Sequence, residues 1–303
     1  MVTILALAAA MLYGTADFLG GVASRRASAF AVLALTVPAG AVVMIIAALV
    51  GGALEGGALQ GGALQGGAIG SWSAVGWAAA SGVCGASGLL AFYAGFASAP
   101  ISVVAPVAAL VSAVLPVSVA IAGGERPGGG VIAGGLLCLI AIVLVSVQPP
   151  GPSPKPGNAE PGSHRRHLRA LGYGVAAGVS FGLFFIFLKD AGQSGVLWPV
   201  AISRSAGTVV AFGIALATRT RLWPRAGGGM VRIALISGAI DAAANVCYVW
   251  ATRVGLFGLA VVITSLYPGI TVLLARLLLG ERLRWIQRAG LVLAAVGVVL
   301  VTV

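Results

Sequence analysis

The chain has 303 residues, 59% apolar and only 8% charged, where an ordinary soluble domain carries roughly 25% charged residues; a water-soluble globular fold is excluded. At about 20 residues per membrane-crossing helix plus a short connection, the length accommodates about ten crossings and leaves no room for a sizeable soluble domain. The net charge of +11, from 18 Lys+Arg and 7 Asp+Glu, would suit a nucleic-acid binder by composition, but thirteen of the cations fall in short connections at one membrane face, so lipid and not nucleic acid is the expected partner.

Apolar stretches bounded by Gly, Pro or charge predict ten helices, at 3–23, 29–50, 73–96, 100–122, 128–147, 169–188, 196–217, 231–252, 256–279 and 284–303. The first lacks a basic leader and is followed by Arg25-Arg26, the pattern of a membrane helix and not of a cleaved signal. Residues 51–70 repeat GGALE and GGALQ and read as a surface loop. Residues 148–168 are Pro-rich and then basic, and read as a linker between a first unit, 1–147, and a second, 169–303. Its His164 and His167 are too few for a metal site, and no cofactor is expected. Cys84, Cys138 and Cys247 sit in apolar runs without metal or redox spacing and read as small packing residues.

An offset of 156 superimposes Gly124-Glu125-Arg126 on Gly280-Glu281-Arg282, Ala133-Gly134 on Ala289-Gly290, and Ser81-Gly82 on Ser237-Gly238. An offset of 168 pairs Tyr13-Gly14 with Phe181-Gly182, and the row Ala6, Ala10, Gly14 with Gly174, Gly178, Gly182. Each unit then holds five helices, an odd number, so the second copy crosses the membrane in the opposite sense. The expected fold is an all-α polytopic membrane protein of ten transmembrane helices in two inverted five-helix repeats, an arrangement of secondary transporters whose site lies between the halves. The positive-inside rule puts both termini on the outer face of a cell membrane.

Two five-helix halves, the aromatic-Gly pairs Tyr13-Gly14 and Phe181-Gly182, the Gly-Glu-Arg after spans four and nine, and the stretch from Ser265 to Arg282 together resemble the EamA-domain transporters of the drug/metabolite transporter superfamily. The resemblance implies a ten-helix carrier that moves small metabolites, amino acids or drugs by alternating access, many members being exporters. The proline present as Pro268 has Ser112 as its first-half equivalent, and the arginine present as Arg204 has Thr36.

An ionisable group within the hydrocarbon is costly unless paired or facing water, which makes each one a functional hypothesis. Asp17 lies one turn after Tyr13, so the two share a helix face. Asp241, Asn245 and Tyr248 recur at i, i+4 and i+7 and form one stripe, and Arg204 lies inside span seven. Their repeat equivalents are Phe185 for Asp17, Gly85 for Asp241, Leu89 for Asn245 and Thr36 for Arg204. Charges that break the repeat are better explained by an asymmetric small-molecule substrate than by shared architecture. The expected path is lined by Tyr13, Asp17, Arg204, Asp241, Asn245 and Tyr248, with Asp17 or Asp241 as a proton-coupling site. The alternative is an ion pair of Arg204 with Asp241 or Asp17. Arg204 points to a substrate carboxylate or phosphate, hence an amino acid or small organic acid. Glu125 and Glu281 recur in both halves just before helices five and ten, and suit a structural carboxylate at a helix N-terminus. Metalloprotease and Walker patterns are missing, and the contexts YGTAD and GAIDAAAN do not match an aspartyl protease, so no enzyme is expected. A non-transporting membrane partner or scaffold, and a lipid-carrier flippase of the same fold, are the competing readings; monomer and homodimer stay equally open.

Overall fold

The computed structural model describes residues 1–24, 29–54, 71–98, 101–146, 163–217, 228–279 and 284–302. The GGALQ segment, most of the linker and Glu281 lie outside the described residues. Among the described residues there is no strand. The helices are α1 (Val2–Ser24), α2 (Ala29–Leu54), α3 (Trp72–Ser98), α4 (Ile101–Ala122), α5 (Gly129–Ser146), α6 (Ser163–Ala191), α7 (Leu197–Ala217), α8 (Gly228–Val254), α9 (Phe257–Thr264), α10 (Tyr267–Leu279) and α11 (Trp285–Thr302), with a 3-10 turn at Gly192–Ser194. An all-helical chain is what hydrocarbon demands, because each helix satisfies its own backbone polar groups.

Among the described residues, seven stretches are long and apolar enough to cross a membrane, one of them Phe257–Leu279, which combines α9 and α10. Three more, Pro106–Ala122, Gly129–Val145 and Trp285–Leu300, are apolar but shorter. Three boundaries differ most from the sequence reading. Helix α2 continues to Leu54, so the first residues of the expected surface loop are helical. Helix α6 begins at Ser163, so the basic end of the expected linker is helical; after Pro161-Gly162 nothing in HRRHLRAL breaks a helix. The stretch 256–279 is interrupted at Ser265 and Leu266, just before Pro268, which has no N–H to give to a continuous helix.

Packing alternates between the sequence halves. Helix α1 lies on α8, α9 and α10, while α6 lies on α3 and α4; α2 packs on α7 and α8, α3 on α7, and α5 on α11. Small residues make these approaches close, as expected where water does not drive helices together. A Cβ at Gly178 would stand 2.6 Å from Val111 Cβ, one at Gly182 would stand 2.9 Å from Leu115 Cδ2, and one at Gly14 would stand 2.6 Å from the Tyr267 carbonyl oxygen. Gly82 lies directly against the backbone of Ser203, and Gly238 against that of Thr36. Beside these glycines, Ser81 and Ser203 share a 3.0 Å hydroxyl contact and Ser237 donates to the Ala16 carbonyl at 2.8 Å. The central core gathers Tyr13, Phe185, Leu188, Val200, Tyr248, Val249 and Val261. Outward-facing positions are apolar too, among them Val209, Leu216, Leu277 and Val292, a surface suited to lipid and not to water. Trp72 and Trp285 stand exposed at the first residues of α3 and α11.

Candidate functional site

The polar residues inside the bundle assemble where α1, α7 and α8 meet. The Arg204 guanidinium of α7 forms an ion pair with the Asp241 carboxylate of α8 and also donates to the Asp241 carbonyl at 3.3 Å. One turn on, Asn245 donates its amide to the same carbonyl at 2.7 Å. Its amide oxygen accepts the Tyr13 hydroxyl of α1 at 2.8 Å. Four predicted residues thus form one chain, Arg204–Asp241–Asn245–Tyr13, whose middle link runs through the Asp241 backbone carbonyl. Of the two ion pairs open to Arg204 from the sequence, the one with Asp241 is present.

Tyr248, the third member of the expected stripe, is fully buried and turns its hydroxyl to the Phe185 carbonyl of α6 at 2.8 Å. It joins the polar chain only through rings: Tyr248 and Phe185 lie 4.8 Å apart, and Phe185 meets Tyr13 edge-on at 6.2 Å. Tyr267 closes the other side of Tyr13, at 6.0 Å between centroids. Sequence reasoning gave Phe185 no role beyond its equivalence to Asp17 and gave Tyr267 none at the site; the available signal was that Tyr267 directly precedes Pro268, at the break of a span.

Asp17 is different. It is exposed, and among the described residues it forms neither an ion pair nor a hydrogen bond. Its position is nonetheless within the helix packing, because Gly14 on one side abuts α10 and Ala16 and Gly20 on the other abut Ser237 of α8. It lies within electrostatic reach of Asp241 and Tyr267.

A second polar cluster lies at the start of α9. Gly124 adopts φ +96° at the turn after α4, a left-handed conformation that favours glycine, and so directs the next residue away from α5. Glu125 then reaches α9, where its two carboxylate oxygens accept the Phe257 N–H at 2.7 Å and the Gly258 N–H at 3.0 Å. The sequence placed this carboxylate before α5; the helix end it satisfies is that of α9, in the other half. Lys189, paired with Asp190 at 3.0 Å, lies 5.2 Å from the centre of the Phe257 ring. Replacing Glu125 by Ala is expected to lower stability by about 1–2 kcal/mol, the usual worth of an N-terminal cap, read as thermal unfolding of the purified protein. An unchanged melting temperature would show that the contact carries no stability.

Among the described residues, no three His, Cys, Asp or Glu side chains gather to hold a metal. No curated protein sequence matches the chain. A solved crystal structure is similar over 99% of this chain and 96% of its own length, with a TM-score of 0.75 at 18% identity, a likeness of fold alone. The model of the EamA-like transporter family matches residues 168–303, which cover α7 to α11 and almost all of α6, including Arg204, Asp241, Asn245, Tyr248 and Tyr267. Over that region the chain is similar to the EamA-like transporter family, and its long apolar helices are those of a multi-pass membrane protein.

Proposed function

We propose that the chain is a secondary transporter of small metabolites, working by alternating access in a cell membrane. The observation that carries this reading is a polar chain joining α1, α7 and α8 inside an apolar bundle, with an accessible carboxylate, Asp17, beside it. A purely structural bundle has no use for an exposed, unpartnered charge at such a place, which hydrocarbon would penalise.

Ten helices in two inverted halves remain the architecture best supported. Helix α1 on α8 has its counterpart in α6 on α3, α2 on α8 in α7 on α3, and α1 on the α9–α10 span in α6 on α4. A pseudo-two-fold axis relating the halves produces such exchanged pairs. By the positive-inside argument, the Glu125 and Lys189 contacts on Phe257 close the outer end, while Asp17 is reached from the inner side. Rocking of one half against the other would break the Glu125 contact and cover Asp17.

The flippase reading draws less support. A groove of about 500 Å³ does open sideways between α2, α7 and α8, but Ala34, Leu35, Pro38, Ala39, Val42, Val43, Phe212 and Leu235 line it, and these offer a lipid headgroup nothing to bind. The scaffold reading leaves Asp17 without a role. Reconstitution into proteoliposomes, with uptake of amino acids, organic acids and organic cations measured with and without a pH gradient, is expected to show saturable uptake of one class. No uptake of any class in either gradient direction would remove the carrier reading.

A further inference from the structure

Arg204 pointed, from the sequence, to an anionic substrate. Its charge is already matched by Asp241, and the Asp241 backbone takes up a further donor. Among the described residues, Asp17 has no such counterion. Of the three intramembrane charges at the site, two cancel and one carboxylate remains. The other cations on the helices flanking Asp17 do not neutralise it: Arg232 on α8 and Arg276 on α10 form no ion pair with Asp17, and Arg276 is engaged elsewhere. Asp241, which interacts electrostatically with Asp17, is itself negative.

The chemistry around the carboxylate is aromatic. Tyr13 is one helical turn away on the same face, and half-buried Tyr267 lies 6.0 Å from it. A metal ion would want several oxygen or nitrogen ligands, and no such group gathers among the described residues. A single carboxylate beside aromatic residues instead matches an organic ammonium group, held by charge on one side and by apolar side chains on the other.

We infer that the site takes an organic amine, with its ammonium on the Asp17 carboxylate and its apolar part against Tyr13 and Tyr267, and that it disfavours molecules bearing a free carboxylate. This deepens the transport reading and rests on it for the direction of movement, but the charge preference is testable by binding alone.

Three probes of one shape separate the possibilities: phenethylamine, a cation; phenylalanine, a zwitterion; and 3-phenylpropionate, an anion. Binding of each to the purified full-length protein is measured by calorimetry, and uptake of each is measured in proteoliposomes. Phenethylamine is expected to bind tightest and 3-phenylpropionate weakest. Asp17→Asn is expected to weaken phenethylamine binding about 10- to 100-fold, the worth of a charged hydrogen bond, while Asp17→Glu keeps most of it. Should Asp17→Asn fail to fold, the wild-type ranking and Asp17→Glu decide. The inference is overturned if phenethylamine does not bind, if 3-phenylpropionate or phenylalanine binds as tightly, or if Asp17→Asn leaves its affinity unchanged. Uptake tests the other reading separately. Amine that binds but never crosses the membrane removes the carrier and keeps the Asp17 assignment; preferred uptake of 3-phenylpropionate keeps the carrier and removes the assignment.

Discussion

Arg204→Ala is expected to destabilise the protein by about 3–5 kcal/mol, because it leaves the Asp241 carboxylate half-buried and without its counterion. The side chains of the pair are only 15% and 26% exposed, so water can do little to replace the lost partner. Asp241→Ala should cost a similar amount for the same reason. The pair itself need not be a net source of stability, since removing two charges together also removes their desolvation cost. The double replacement Arg204→Met with Asp241→Leu is therefore expected to recover much of the loss in melting temperature. A double-mutant cycle on thermal unfolding measures the coupling. Two single variants that melt like wild type would mean that the pair is not formed in the folded protein.

Gly82→Leu and Gly238→Leu are expected to prevent assembly outright. At each, a side chain would be driven into the backbone of another helix, Ser203 for Gly82 and Thr36 for Gly238, and a backbone cannot rotate aside as a flexible side chain does. Gly213→Leu is the matched control, because nothing stands within 4 Å of a Cβ there. Size-exclusion chromatography of the three variants in mild detergent reads the result: aggregate for the first two, a monodisperse peak for the third. Wild-type behaviour of Gly238→Leu would show that α2 and α8 do not approach as described.

The fold was largely legible because apolar length is a strong signal and hydrocarbon permits few alternatives. The helices near 2–24, 197–217 and 285–302 begin and end within a few residues of their expected limits. The equivalence of Ser81-Gly82 and Ser237-Gly238 also marked two positions that both meet a neighbouring backbone. The site was legible one helix at a time. The i, i+4 spacing put Asp241 and Asn245 together on α8, where the Asn245 amide donates to the Asp241 backbone carbonyl. Spacing within one helix says nothing of which other helix faces it. That is why Tyr248, on the same nominal stripe, gives its hydroxyl to α6, and why Glu125 was assigned to the helix that follows it and not to α9. Periodicity also did not reveal which carboxylate would take Arg204, and that choice decides the sign of the charge left exposed.

The exchange of partners between halves has a consequence for how the protein comes into being. Tyr13 and Asn245 are hydrogen-bonded across 232 positions of sequence. When α1 enters the membrane, the helix that will cover its polar face has not yet been synthesised, and Tyr13, Asp17 and the glycine face of α1 must be held in lipid or by insertion machinery until α8 arrives. Neither half can be completed before the other exists, so the unit of biogenesis is the whole chain, although the unit of its sequence pattern is half of it.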